Sequence, residues 1–446
     1  MSKVDKPTIV IIVGITGDLS RRYLLPAIEK IAAAGAAPAS FKIIGITRRN
    51  VPASDVVSSL ASTSPHNYVA SHLEMHTMDL TDPAAYEQLK QKLAAIEKTF
   101  DSPSQRLFYL SVPPQISQPV VSLLGGAGLA DIPETKLLLE KPFGTDLASA
   151  QELIRKTKRY FREDQMYLID HYLAKEMAQN LVIFREGNSL FKRTWHKDFI
   201  ESIQILASEK IGIEGRVAFY EQTGALRDLV QSHLLQLAAL TLMETPAASK
   251  LIEVPARRLR ALQQLGVPAG QPCTVYAKRG QYDGYRAEVN NPHSAVETFV
   301  RLTLQSSDPR WQGVPITLIT GKSLKEKNTC IRITYKKEQE YESNELFLKL
   351  QPNEGIELDL WTKVPGYDRR MERRALNLAY KDYFPKLPAA YEQVFLDAIN
   401  SNHTLFTSSD EVLETWRILD PVQKYWEMTS EGLFMYDSGS PAHQLA

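Results

Sequence analysis

Only two cysteines, Cys273 and Cys330, occur in 446 residues. Two cannot form a disulfide framework, and neither sits in a metal-ligand spacing. The expectation is a pair of reduced thiols in a cytoplasmic protein, with no metal implied. Long apolar runs are missing too: "TIVIIV" (8 to 13) passes at once into "GITGDLSRR", too short for a membrane span and without a small-residue cleavage site. Neither sign of charge predominates, since 52 Lys plus Arg balance 52 Asp plus Glu. That balance argues against partnership with nucleic acid or a membrane, and any anion site must be assembled locally.

What the chain does have is apolar content for large cores, 43% against 23% charged residues, at a length that suggests two or three domains. Over the first 145 or so residues strand and helix signals alternate. "TIVIIV", "FKIIGI" (41 to 46), "RLFYL" (106 to 110) and "KLLL" (136 to 139) read as short buried strands, separated by helical stretches such as 83 to 99. After about residue 190 the texture becomes β-rich: "SIQILAS", "CTVYA", "VETFVRLTL", "PITLI", "TCIRITY" and "ELFLKL" follow closely without crossover helices. The predicted fold is an α/β Rossmann-type dinucleotide-binding domain over 1–170. A larger α+β domain with a mainly antiparallel sheet follows over 171–446.

The first strand feeds "GITGDLSRR", where Gly14 and Gly17 permit a tight turn and close approach to a pyrophosphate at a helix N-terminus. The spacing is G-x-x-G rather than the full G-x-G-x-x-G, and a plain strand–helix turn also uses glycine. An acid is absent where the second strand ends in "GITRRN". Thr47, Arg48 and Arg49 stand there instead, which suits a 2′-phosphate and favours NADP, with NAD as the weaker alternative.

Further on, "LLLEKPFGT" sets Glu140 and Lys141 at a strand end, where open α/β sheets bind ligands. In "LIDHYLAKE" (168 to 176), a helix from 171 would put His171 and Lys175 four apart on one face, with Tyr172 beside them as donors for a phosphate monoester. Taken alone, such a stretch is equally a wet helix surface. "GALRDLVQSHLLQL" carries Asp228 and His233 in an otherwise apolar helix, the makings of a general base or merely of a satisfied core histidine. "RWQGVPITLITGKSLKEK" sets Lys322, Lys325 and Lys327 after an apolar strand, as an anion pocket or a solvated turn.

Taken in order, "GITGDLSRRYLLPA", "FYLSVPP", "EKPFGTDL", "FREDQMYLIDHYLAKE", "ALRDLVQSHLLQL", "RWQGVPITLITGK" and "LQPNEG" resemble the glucose-6-phosphate dehydrogenase family from about residue 8 to 428. The resemblance implies a role for each matching position. Gly14, Thr16, Gly17, Asp18 and Leu19 lie in the cofactor loop. Arg48 matches the 2′-phosphate arginine, Pro113 and Pro114 lie near the nicotinamide, and Lys141 is shared between cofactor and sugar. His171, Tyr172 and Lys175 match the sugar-phosphate binders, and Glu209, Asp228, Lys322, Lys327 and Gln351 the sugar contacts. His233 matches the general base and Asp170 its carboxylate partner.

The implied activity is oxidation of β-D-glucose 6-phosphate at C1 to 6-phosphoglucono-1,5-lactone with NADP⁺, in a homodimer or homotetramer. Three departures stand out: Ala174 replaces the glycine of "DHYLGKE", Glu221 a typical aspartate, and Ile319 a typical arginine. The last counts against a second, structural NADP site. Two other readings compete. One is a related sugar oxidoreductase acting on another sugar or ring position; the other is a non-catalytic homologue that binds sugar phosphate or NADPH.

Overall fold

Six fully buried residues, Thr8–Val13, make β1 of a computed structural model that describes residues 6–60, 68–337, 341–384 and 386–445. A strand buried on both faces must be apolar along its whole length, and "TIVIIV" is. β2 (Phe41–Thr47), β3 (Leu73–Thr77), β4 (Gln105–Leu110), β5 (Thr135–Glu140) and β6 (Met166–Ile169) join it in the spatial order 6-5-4-1-2-3, all parallel. This is the doubly wound dinucleotide-binding order, with its topological switch between β1 and β4.

Contacts divide the chain into two units. The first comprises Met1–Gly144, Ala148–Ala174 and Pro388–Ser409. The late return is fastened by Lys136, whose buried ammonium donates to Gln105 Oε1 (2.7 Å) and to the carbonyls of Ala398 (2.5 Å) and Ile399 (3.3 Å). These carbonyls close the Ala390–Ile399 helix, so a cation is favoured there by the helix dipole. Burial nonetheless pushes the Lys136 pKa down to about 7.

The folded chain therefore binds fewer protons than the unfolded chain between about pH 7 and the ordinary lysine range, and stability must rise with pH over that window. Lys136→Met is expected to flatten the rise in thermal midpoint between pH 7 and 8.5. A parent and variant with parallel slopes would discard the account.

The second unit comprises Thr145–Leu147, Lys175–Leu387 and Asp410–Ala446. Thr145 is held there by Arg227 Nε and Gln423 Nε2, both donating to its carbonyl (2.8 and 3.0 Å). Its sheet contains β7 (Ile200–Ser208), the two-residue β8 (Leu265–Gly266), β9 (Ala277–Tyr282), β10 (Phe299–Ser306), β11 (Ile316–Gly321), β12 (Asn328–Tyr335), β13 (Glu345–Gln351), β14 (Gly355–Lys363) and β15 (Met371–Ala379). β16 (Phe406–Thr407) belongs to the first sheet, and β17 (Leu433–Tyr436) closes the second. The order is 15-14-13-12-7-11-10-9-17, with β8 beside β10; only β7–β11 and β9–β17 are parallel. The expected mainly antiparallel sheet is present.

"CTVYA" departs from expectation. Pro272, at φ −68°, starts a short helical turn over Cys273–Tyr276, and the strand begins only at Ala277. No helix among the described residues is long and apolar enough to cross a membrane.

Candidate active site

At the carboxyl end of β1 the backbone reverses at Gly14, with φ +91°. A Cβ there would lie 2.3 Å from the carbonyl oxygen of Ser111, so only glycine fits. Gly17 N–H (2.9 Å) and Ser20 Oγ (3.1 Å) both donate to the Gly14 carbonyl, closing a loop that contains Thr16 and leads through Asp18 and Leu19 into a helix. The bare backbone at Gly14 and the helix start that follows fit a dinucleotide pyrophosphate. At the end of β2 Thr47 is buried while Arg48 and Arg49 are exposed, leaving both guanidiniums accessible to an anion. Asp79 is held below the ordinary carboxylate range, first by hydrogen bonds from Thr81 and to a smaller degree by the Arg48 charge. Pro113 and Pro114 open the Pro114–Gly126 helix beyond β4.

β5 and β6 are parallel neighbours, with Glu140 opposite Ile169, so Lys141 and Asp170 leave the sheet from adjacent strand ends. Beneath them Tyr109 donates to Glu140 at 2.5 Å. Burial pushes the Glu140 carboxyl up, the hydroxyls of Tyr109 and Tyr391 and the Lys141 charge pull it down, and the Asp170 charge pushes it up again. Asp170 is buried; its Oδ1 accepts the Tyr172 N–H (3.0 Å) and its carbonyl the Leu173 N–H (3.0 Å).

That turn overturns one expectation. Residues 171–174 are not helical, Lys175 is extended (ψ 141°), and the helix begins only at Glu176. His171 and Lys175 therefore do not share a helical face. An aspartate that binds the N–H two residues on favours a turn over a helix. His171 and Tyr172 do meet, edge to face at 5.1 Å.

In the second unit β7 and β11 run parallel, with Ser208 beside Gly321, so the next residues, Glu209 and Lys322, emerge together. Lys322 is buried; its ammonium pairs with Glu209, lies 3.8 Å from Asp228 Oδ2, and sits 5.2 Å from the ring centre of Tyr220. Burial, then the charge of Asp228, pushes the Tyr220 hydroxyl well above its usual range, so it stays protonated. Lys325 and Lys327 are exposed, so of the three lysines Lys322 alone is buried in this cluster.

Asp228 and His233 ride on a helix that is π-wound over Leu226–Leu234 and α-wound over Leu235–Leu242. In an α-helix, positions five apart diverge by about 140°. A π-helix, with i→i+5 hydrogen bonds, turns less per residue, so it brings His233 back toward the side that carries Asp228. Both are buried.

Lys175 has its own surroundings. Glu354 accepts the Met177 N–H at 3.0 Å, anchoring the Glu176–Gly187 helix. Burial pushes the Glu354 carboxyl up; that hydrogen bond and then the Lys175 charge pull it down. Gln351, at the end of β13, is three residues before this anchor. Tyr220 and Glu354 escaped the sequence reading. A glutamate in the turn "PNEG" could not be linked to a helix start some 180 residues earlier in the chain.

The domain family described as "Glucose-6-phosphate dehydrogenase, NAD binding domain" matches residues 11–180, and its "C-terminal domain" matches 182–445. The chain belongs to the glucose-6-phosphate dehydrogenase family. It is an oxidoreductase by that membership, and its first unit is a nucleotide-binding dehydrogenase domain.

The glucose-6-phosphate 1-dehydrogenase of Bacillus subtilis (strain 168) is 35% identical, over 97% of this chain and 94% of that one. The same enzyme of Chlamydia muridarum is 33% identical, over 97% and 93%. Among solved structures, a glucose-6-phosphate dehydrogenase in complex with glucose-6-phosphate superposes with a TM-score of 0.91 at 30% identity, covering 99% of this chain and 96% of that one. The Mycobacterium avium enzyme gives 0.83 at 28%, covering 98% and 94%.

The three departures from the glucose-6-phosphate dehydrogenase pattern now have locations. Ala174 is packed in the apolar core of the first unit, where its methyl is accommodated. Ile319 is buried in a cluster with Tyr220, Phe299 and Tyr436, so its side chain meets core rather than solvent. Glu221 accepts from Tyr285 Oη (2.7 Å), Ser294 Oγ (2.7 Å) and Asn291 Nδ2 (3.0 Å), a structural tie to the 285–294 segment.

Proposed function

We infer that the chain oxidises β-D-glucose 6-phosphate at C1 to 6-phosphoglucono-1,5-lactone, with NADP⁺ as acceptor. The observation that carries this reading is the cluster of buried Lys322 and Asp228 with the half-buried Glu209, beside a π-wound helix bearing His233, in a member of this family. The two carboxylates offer acceptors for sugar hydroxyls and the ammonium offers a donor, in surroundings where water competes weakly. His233 takes the proton of the anomeric hydroxyl; Asp170 has the role of favouring the imidazolium that results. Lys141 donates to the sugar, while His171, Tyr172 and Lys175 bind the phosphate; Lys327 and Gln351 complete the sugar contacts.

The 1–170 region serves NADP⁺ and the 171–446 region the sugar and assembly. Gly14, Thr16, Gly17, Asp18 and Leu19 would hold the pyrophosphate, Thr47, Arg48 and Arg49 the 2′-phosphate, and Pro113 the nicotinamide end. Bound there, NADP⁺ supplies the hydride acceptor. A homodimer or homotetramer in the cytoplasm completes the proposal. Leu376 and Leu378, 61% and 41% exposed on β15, support assembly through the sheet, and the buried unpaired thiols of Cys273 and Cys330 suit a reducing compartment.

The deciding assay is absorbance at 340 nm with glucose 6-phosphate and either NADP⁺ or NAD⁺, with free glucose as control. Faster reduction of NADP⁺, dependent on the phosphate ester, is the expected result. Formation of a stable keto sugar would assign another ring position, and no reduction at all would leave a binding homologue. Lys175→Ala is expected to raise KM for glucose 6-phosphate at least tenfold and to alter the slow turnover of free glucose much less. Equal losses on both substrates would remove Lys175 from the phosphate.

A further inference from the structure

Glu297 lies two residues before β10 and has no part in the chemistry described above, yet it is buried. Its backbone carbonyl accepts the Ala225 N–H (2.9 Å), and its Oε1 accepts the Leu226 N–H (3.0 Å). These are the amides of the N-cap and of the first residue of the π-wound helix that carries Asp228 and His233. Such N-terminal amides have no partner within their own helix and need an external acceptor when buried.

The fit is mutual. Gly224 turns the chain at φ +63° just before the helix, and a Cβ there would lie 2.4 Å from Glu297 Oε1. The adjoining residue makes a second tie, since the Thr298 carbonyl accepts the Lys322 N–H at 2.9 Å. Tyr436 Oη in turn donates to the Lys322 carbonyl at 2.7 Å.

We propose that Glu297 is a positioning residue of the active site: with Thr298 it sets the helix bearing Asp228 and His233 against the Lys322 ammonium. One dipeptide holds both sides of the cluster, so a shift of its carboxylate moves the imidazole and the carboxylate relative to the ammonium together. The inference rests on the functional reading above and adds a residue to it. Burial pushes the Glu297 carboxyl up, while the Leu226 N–H and then the Arg227 and Arg279 charges pull it down. A glutamine keeps an acceptor oxygen for the Leu226 N–H and so can preserve this tie.

The test compares Glu297→Ala, Glu297→Gln and Glu297→Asp in the full chain by steady-state kinetics and thermal unfolding. Glu297→Ala should raise KM for glucose 6-phosphate at least tenfold and lower kcat at least tenfold, with KM for NADP⁺ within twofold of the parent. Glu297→Gln should recover both constants to within about threefold. Where the alanine variant does not fold, Glu297→Asp carries the test: it withdraws the carboxylate by one methylene and should raise the same KM.

A folded Glu297→Ala with a lower melting temperature but parental KM and kcat would overturn the proposal. So would a Glu297→Gln as impaired as the alanine variant, or a Glu297→Asp kinetically identical to the parent. Failure of the base assignment is read separately: a fully active His233→Asn removes that assignment, while a raised sugar KM in Glu297→Ala still reports the Asp228–Lys322 spacing.

Discussion

His233→Asn is expected to lower kcat at least 100-fold while KM for glucose 6-phosphate stays within about threefold of the parent. His233 is 1% exposed and sits on a helix whose residues from Asp228 to Leu242 are all buried. Asparagine preserves polarity and a hydrogen-bonding group there but cannot take up a proton near neutral pH. Positioned proton transfer contributes roughly 10²–10⁴-fold to a rate, and loss of the base forfeits that range. Sugar binding is assigned to other groups, so a loss confined to kcat distinguishes a missing base from a collapsed site. Initial rates at 340 nm, with circular dichroism to establish folding, make the comparison. A variant that turns over at nearly the parental rate would remove the base from His233.

Lys322→Met should have the second largest effect, at least a 100-fold rise in KM for glucose 6-phosphate together with a melting temperature several degrees lower. Methionine keeps the length of the side chain and removes the charge. Glu209 and Asp228 would then face each other's neighbourhood without the ammonium that pairs with the first and lies 3.8 Å from the second. Breaking a buried ion pair by removing one partner costs about 3–5 kcal/mol, mostly through the uncompensated charge left behind. The contact with the Tyr220 ring is lost as well, worth about 0.5–2 kcal/mol where a cation is shielded from water. Differential scanning calorimetry and steady-state kinetics check the two parts. A Lys322→Met enzyme with parental KM would take the sugar away from this cluster.

The two effects also differ in kind. One deletes a group needed only while a bond is changing; the other deletes a group that organises the ground state. Their combination should therefore be close to multiplicative in kcat/KM, unless the helix that carries His233 shifts when Lys322 is lost.

The linear order of residues by itself determined the class of fold and the family. Short apolar runs of four to six residues alternating with helical stretches suit strands covered on both faces, and β1, β2, β4 and β5 lie where those runs predicted. The collinear motifs, from the Gly14 loop to "LQPNEG", are local strings and survive without any knowledge of packing.

Tertiary structure decided the rest. A period of 3.6 would have turned His233 well away from Asp228, and the π winding of Leu226–Leu234 brings it back toward the same side. A helical reading joined His171 to Lys175, whereas the Asp170 turn breaks the helix between them. Glu209 and Lys322 meet because two strands 113 residues apart lie parallel, and Glu297 reaches the start of a helix 71 residues earlier. Local periodicity encodes which face of an element is apolar. It does not encode which distant strand end that face will meet, because that pairing is fixed by burying both elements in one core.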